Sequence, residues 1–344
     1  MKSMSKRLAA LLVVALLSGC AGEEGKITGF GGTRHSKDAH TVLRYLGSSG
    51  SVGFHELAED LGYFPTIRLK AVGESVGGPQ SIQLTATGDI DFGSSFNGAI
   101  IKAIANGARI RAVLGSYGSD ELSPMGFYVL EDSPIRSARD LIGKKVGMNI
   151  LGAHAEFILT DFLRQNGLTE EEIGQVAMLV IPTTEAEQAL RNRQIDAAAM
   201  SGIHRERALD RGGIRELFTD VDLYGSFTAG SYVFSEKRIA AHPDVVREFV
   251  EGTARAIEWA RATPREEVIA RFEAIIRKRN PNETTEVVRY WKSTGIASKG
   301  GYIEESDFRV WLDWLVKNGE LQEGEVTQDD LYTNEFNPYR DEFR

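Results

Sequence analysis

The sequence predicts an α/β protein built as two similar lobes, and three observations carry that expectation. Short apolar stretches alternate with amphipathic ones from Thr41 onward. The alternation restarts after Asp132-Ser133-Pro134. Within the first run, Gly88-Asp89-Ile90-Asp91-Phe92-Gly93 precedes a helical pattern, and Arg193-Gln194-Ile195-Asp196-Ala197-Ala198 does the same within the second. Strands separated by helical segments favour right-handed βαβ units around a mainly parallel sheet.

In chain order, Thr41–Leu46, Thr66–Val72, Ile90–Gly93 and Arg109–Ser116 read as strands, with helices at Val52–Leu61, Pro79–Thr87 and Gly98–Asn106 between them. The second run predicts a short helix at Ser137–Ile142, a strand at Lys145–Met148 and a long helix at Ala153–Asn166. That helix ends at Gly167, a residue type suited to the left-handed position after a helix. Strands at Val176–Ile181 and Asp196–Met200 follow, with helices at Thr184–Arg191 and Arg205–Arg211. From His242 the pattern turns helical, with segments at Val245–Ala262, Pro264–Lys278, Glu283–Ser293 and Glu304–Asn318. Pro264 suits a helix start. Trp259, Trp291, Trp311 and Trp314 all fall here, at spacings expected for core packing rather than sugar stacking.

The N-terminus carries a different signal. Lys2, Lys6 and Arg7 precede the apolar run Leu8–Leu17 and then Ser18-Gly19-Cys20. A basic start, a short apolar core and small residues describe a signal peptide. The run is about half of the roughly 20 residues that cross a bilayer. Residues Ala21 to Asp38 hold five glycines among polar residues and read as a flexible tether. His35 and His40, close to Lys37 and Asp38, are taken as solvated linker residues rather than a metal site.

Cys20 is the single cysteine, so neither an intramolecular disulfide nor a cysteine-based metal cluster can form. A chain of 344 residues with 42% hydrophobic and 26% charged residues has the profile of a globular protein of about two domains. The net charge of −9, with no basic cluster beyond the signal, argues against nucleic-acid binding. Glu170-Glu171-Glu172 after Thr169 reads as helix capping.

Four strand-to-helix junctions are rich in small residues: Ser48-Ser49-Gly50-Ser51, Val76-Gly77-Gly78, Ser94-Ser95-Phe96-Asn97 and Gly152-Ala153-His154. In open α/β sheets ligands sit beyond the carboxyl ends of strands, and helix starts hold anions. Ser48, Ser49, Gly50, Gly77, Gly78, Ser94, Ser95 and Asn97 are therefore expected to bind a solute from one lobe, facing Gly152, Ala153, His154 and Ser201 from the other. Tyr117, Phe227 and Ser231 are expected to line the hinge.

Several phrases, in this order, match one family. They are Leu57-Ala58-Glu59-Asp60-Leu61-Gly62-Tyr63-Phe64, Gly77-Gly78 before a helix, Thr87-Gly88-Asp89-Ile90-Asp91-Phe92-Gly93, and Asp132-Ser133-Pro134-Ile135 with Ala138-Arg139-Asp140-Leu141-Ile142-Gly143-Lys144-Lys145-Val146. Together they resemble the solute-binding proteins of ABC importers for aliphatic sulfonates, taurine, nitrate and thiamine-pyrimidine precursors. Leu17-Ser18-Gly19-Cys20 likewise resembles the lipobox of bacterial lipoproteins, which implies lipid on Cys20 and an extracytoplasmic, membrane-anchored protein.

The resemblance implies a bilobal, type II periplasmic-binding-protein fold. Crossover strands are expected near Gly126–Leu130 and Gly230–Ser235, and the helical tail is expected to pack on lobe 1. Residues 1–19 would be the signal and 20–40 the tether. Lobe 1 would be 41–127 plus 231–344, and lobe 2 would be 128–230. The implied partners are a small, anionic solute, a membrane permease and its ATPase; no cofactor is expected and the chain is expected to be a monomer. A pyrimidine-like or other neutral solute, or a tethered sensor, stands as the alternative. Pyrimidine-synthesising relatives carry a cysteine-rich segment that this chain lacks, which weighs against an enzyme. Ala153-His154 and Ser201-Gly202-Ile203-His204 depart from the hydroxyl and aromatic residues common in sulfonate-binding members.

Overall fold

The computed structural model describes residues 40–343; the expected signal, the expected tether up to Ala39 and Cys20 lie outside the described residues. The first run folds as β1 (Thr41–Gly47), α1 (Phe54–Asp60), β2 (Ile67–Glu74), α2 (Gly78–Thr87), β3 (Phe92–Phe96), α3 (Asn97–Ala105) and β4 (Ile110–Ser119). The second run gives β5 (Gly126–Leu130), β6 (Lys145–Met148), α4 (His154–Gln165), α5 (Glu170–Ile173) and β7 (Ala177–Val180). It continues through α6 (Thr183–Arg191), β8 (Ala197–Met200), α7 (Gly202–Asp210), β9 (Ile214–Thr219) and α8 (Asp220–Tyr224). The chain then returns through β10 (Phe227–Ser235) to the helical region α9 (Glu236–Ala241), α10 (Pro243–Ala262), α11 (Arg265–Arg279), α12 (Glu305–Lys317) and α13 (Gln328–Leu331).

The sheets are mixed rather than mainly parallel. β1 pairs with β2, and β6 with β7 and β8, all in parallel. β10 inserts antiparallel between β3 and β4, and β5 inserts antiparallel between β8 and β9. Each inserted strand is the one that arrives from the other lobe. The chain passes between sheets in residues 120–125 and 220–226, a few positions before the strands where the sequence suggested the crossings.

The echo between the lobes has a physical basis. The Asp91 carboxylate accepts the Arg44 N–H of β1 at 2.8 Å, and the Asp196 carboxylate accepts the Lys145 N–H of β6 at 2.8 Å. In both places the aspartate stitches the start of one strand to its neighbour. Gly88 takes φ 84°, and Arg193, at the matching position, takes φ 56°, the one non-glycine with positive φ among the described residues.

A buried apolar cluster continues from Phe96 and Ile100 through Phe127 and Phe157 to Trp311. Trp311 is fully buried and Trp314 nearly so, whereas Trp291 borders the cleft described below and packs edge-on against Phe272. The tail packs on lobe 1 through α10 against α1 and α12 against α3. It also touches lobe 2, where Phe157 of α4 lies 4.4 Å from Trp314. The helix expected over Glu283–Ser293 is a correction: only a 3-10 turn, Glu286–Tyr290, forms. Thr284, Thr285, Val287 and Val288 are β-branched and resist helix, and Trp291 is extended at φ −58°, ψ 134°.

Candidate ligand cleft

The carboxyl ends of the strands from both lobes open onto a cleft between them. Its largest chamber is about 570 Å³ and is bordered by the Tyr45–Glu56 region, Ser116 to Ser119, His154, Ser201 to His204 and Tyr290 to Gly295. A second, of about 280 Å³, lies against Ser75 to Gly77, Ser94 and Asn149. A third, of about 270 Å³, is built where helices begin: Gly78 and Pro79 of α2, Phe96 before α3, Ala153 and His154 at α4, Thr183 of α6 and Ser201 before α7. The three share walls at Ser94 and Thr183.

The first N–H groups of a helix have no partner inside it, so five starts facing one space present donors and partial positive charge to it. Among the described residues no aspartate or glutamate borders that smallest chamber. Ser95 adds a hydroxyl: the residue is 2% exposed and its Oγ has no partner among the described residues. Gly78 makes this possible, because a Cβ there would lie 2.3 Å from Ser95 Oγ. Ser94 Oγ and Ser116 Oγ are bonded to one another at 2.6 Å.

Of the residues expected from the sequence, Ser48, Gly77, Gly78, Ser94, Ser95, Tyr117, Ala153, His154 and Ser201 border the cleft. Others do not. Asn97 is fully buried, its amide donating to the Thr228 and Asp307 carbonyls and accepting the Ser231 hydroxyl at 2.8 Å. Asn97 and Ser231 thus tie α3, β10 and α12 together. Ser49 is exposed outside the cleft, while the Gly50 N–H donates to Glu283 Oε1 at 2.6 Å. Gly152 borders an outer groove between α2 and α3. Phe227 packs edge-on against the His154 ring.

Sequence reasoning missed Ser75 and Asn149, which directly follow β2 and β6, Ser116 within β4, Thr183 at the start of α6, and Tyr45, His55, Tyr232 and Tyr290. Gly73-Glu74-Ser75-Val76-Gly77 even has the spacing of a nucleophile elbow. Ser75, however, has no positive φ, and its hydroxyl exchanges hydrogen bonds only within its loop, with Gly77. His55 borders the cleft, with Nδ1 3.1 Å from the Tyr232 hydroxyl. Burial pulls its pKa down to about 4, so the ring is neutral at physiological pH.

A buried network braces the lobe-1 loop. Tyr45 and Arg279 both donate to Glu56 Oε1, at 2.9 and 2.8 Å, and Arg279 also reaches the Ser48 carbonyl. Burial works to raise the pKa of Glu283, but its bonds to Arg279 and the Gly50 N–H hold it below the usual carboxylate range. Among the described residues no group of side chains is arranged to hold a metal ion, and no helix is long and apolar enough to cross a membrane.

Two lobes, two crossing segments and a cleft lined by helix starts define the type II periplasmic-binding-protein fold. The chain belongs to the NMT1/THI5-like family, whose model matches residues 54–267. No curated protein is similar enough in sequence to match it. Among solved structures, the chain resembles the alkanesulfonate-binding protein SsuA from Xanthomonas axonopodis bound to MOPS. That match has a TM-score of 0.65 and 19% identity over 86% of this chain and 99% of that one. The periplasmic nitrate-binding protein NrtA from Synechocystis matches with a TM-score of 0.65 and 12% identity, over 88% of each chain. The desulfurization enzyme DSZB shares the fold at a TM-score of 0.57 and 17% identity, over 88% of this chain and 99% of that one.

Proposed function

We propose that this protein is the solute-binding component of an ABC importer, held outside the cytoplasm by lipid on Cys20, and that it captures a small organic anion between lobes 41–127 plus 231–344 and 128–230. The observation that carries this reading is the convergence of five helix starts on a carboxylate-free chamber of about 270 Å³. The adjoining chamber of about 570 Å³ leaves room for an organic body beside tyrosine and tryptophan rings. A sulfonate head in the first and a carbon chain in the second fit that shape, and the MOPS-bound neighbour supports the comparison. Bound solute bridging both lobes favours the closed form, and that form is the one offered to permease and ATPase.

A second reading is a neutral heteroaromatic solute such as a pyrimidine. The neutral His55 imidazole among the Tyr45, Phe92 and Tyr232 rings favours it. Calorimetry on the lipid-free mature protein separates the two, using an alkanesulfonate, taurine, nitrate and an aminopyrimidine. Micromolar or tighter binding of a sulfonate or nitrate is expected; binding of the pyrimidine alone would replace the first reading with the second. Labelling with palmitate in a bacterial host, lost in Cys20→Ser, checks the anchor.

A further inference from the structure

We infer that His154 supplies the positive charge of the liganded cleft: an anion in the smaller chamber binds to the protonated imidazole, so capture takes up a proton from solvent. This rests on the anionic reading above. Among the described residues neither lysine nor arginine borders this chamber, and the ionisable side chains that do are His154 and Tyr117. Burial, together with the Asp220 charge, raises the Tyr117 pKa and keeps that phenol neutral. His154 is the one side chain there able to carry a cation.

The imidazole is held for that role. His154 Nε2 lies 3.1 Å from Asp220 Oδ2, and Asp220 is fully buried. The Ser119 hydroxyl and the Met125 N–H bond the two oxygens of that carboxylate, at 2.5 and 3.1 Å. The ring lies flat on Phe96 at 5.0 Å and 8°, with Phe227 against its edge. From the elements packed around it, the titratable groups facing the ring are Asp220 of α8 and Tyr117 of β4. On its own helix, Glu156 is taken up by the Gly152 N–H.

A neutral imidazole would leave Asp220 as an uncompensated negative charge behind the chamber, which repels an anion. Protonation cancels that charge and makes both ring nitrogens donors. The 3.1 Å approach of Nε2 to Asp220 is a charge contact rather than an aligned hydrogen bond, so protonation serves Asp220 through Nε2 as an ion pair and leaves Nδ1 to the ligand. The proton comes from solvent and no bond is broken. By linkage, the anion's affinity is greatest where His154 is already protonated in the free protein and falls as pH rises, by up to about tenfold per pH unit.

The test is titration calorimetry of the mature chain with an alkanesulfonate at about pH 8, in two buffers of different ionisation heat. A fractional proton uptake is expected, together with weaker binding than at about pH 6. His154→Gln, which keeps a donor but cannot be protonated, should bind weakly with no pH dependence. Histidine Cε1–H resonances of the unaltered protein supply a readout that needs no variant: one ring should become protonated at that pH only with sulfonate present. Sulfonate binding with no proton uptake, and with all ring resonances unmoved, overturns the inference and leaves the anionic reading standing. Failure of every anion to bind, with the pyrimidine binding, overturns both.

Discussion

The Tyr290 hydroxyl donates to Asp210 Oδ2 at 2.9 Å, joining the segment after α11 to the end of α7 in the other lobe. Two residues on, the Lys292 ammonium pairs with the buried Glu206 of the same helix. Tyr290 and Lys292 also border the cleft, next to Ile203 and His204. The strap that holds the lobes together is thus one of the walls a solute would touch. Tyr290→Phe removes one interlobe hydrogen bond, a loss of about 1 kcal/mol. Stopped-flow release of bound solute should accelerate roughly fivefold, with the melting temperature little changed.

Ser95 offers a cleaner test of the chamber. Its hydroxyl is buried without a partner, so Ser95→Ala should leave stability unchanged or raise it by about 1 kcal/mol. Affinity for the anion should fall about fivefold to tenfold. A merely structural serine would show the reverse, with weaker folding and unchanged binding by calorimetry.

Asn97 is expected to behave in the opposite way. Three hydrogen bonds join it to Thr228, Asp307 and Ser231, all of them buried. Asn97→Ala strands those partners, and denaturant unfolding should report a loss of about 3 kcal/mol. At temperatures where the variant is folded, solute affinity should stay within about twofold.

Asp307 makes stability depend on pH. Burial raises its pKa to about 7, against the pull of the Glu304 and Thr228 N–H groups. An unfolded aspartate titrates near 4. Between those values the folded chain binds the extra proton, so this residue's contribution to stability falls as pH rises through the window. Asp307→Asn should therefore gain on the parent as pH climbs from about 5 to 8, by an amount of order 3 kcal/mol. Melting curves at both ends of that range measure it; parallel curves would contradict the assignment.

How much the sequence disclosed follows from the range of the interactions involved. The repeat was visible because Asp91 and Asp196 each serve a strand through a short, residue-specific bond, to Arg44 and Lys145. The loops at Gly77-Gly78 and Ser94-Ser95 were legible because small residues at helix starts have a local cause. The role of Asn97 was not, since its partners lie in β10 and α12, more than a hundred residues away. β9 escaped notice because Ile214–Thr219 lacks strict alternation, with Arg215 and Glu216 adjacent and then Leu217 and Phe218, a mixture that an edge strand tolerates. Tyr290 joined the cleft only because the β-branched run before it failed to make the expected helix.

The exchange of strands between the lobes has a consequence for the chain as a whole. The two larger sheets are each completed by a segment synthesised next to the opposite one: β5 needs β8 and β9, which follow it, and β10 fills a gap that β3 and β4 leave open until most of the polypeptide exists. A fragment cut at either passage would expose an unfilled sheet to water and to other copies of itself. The two halves are therefore obligate companions in folding, expected to melt in a single calorimetric transition.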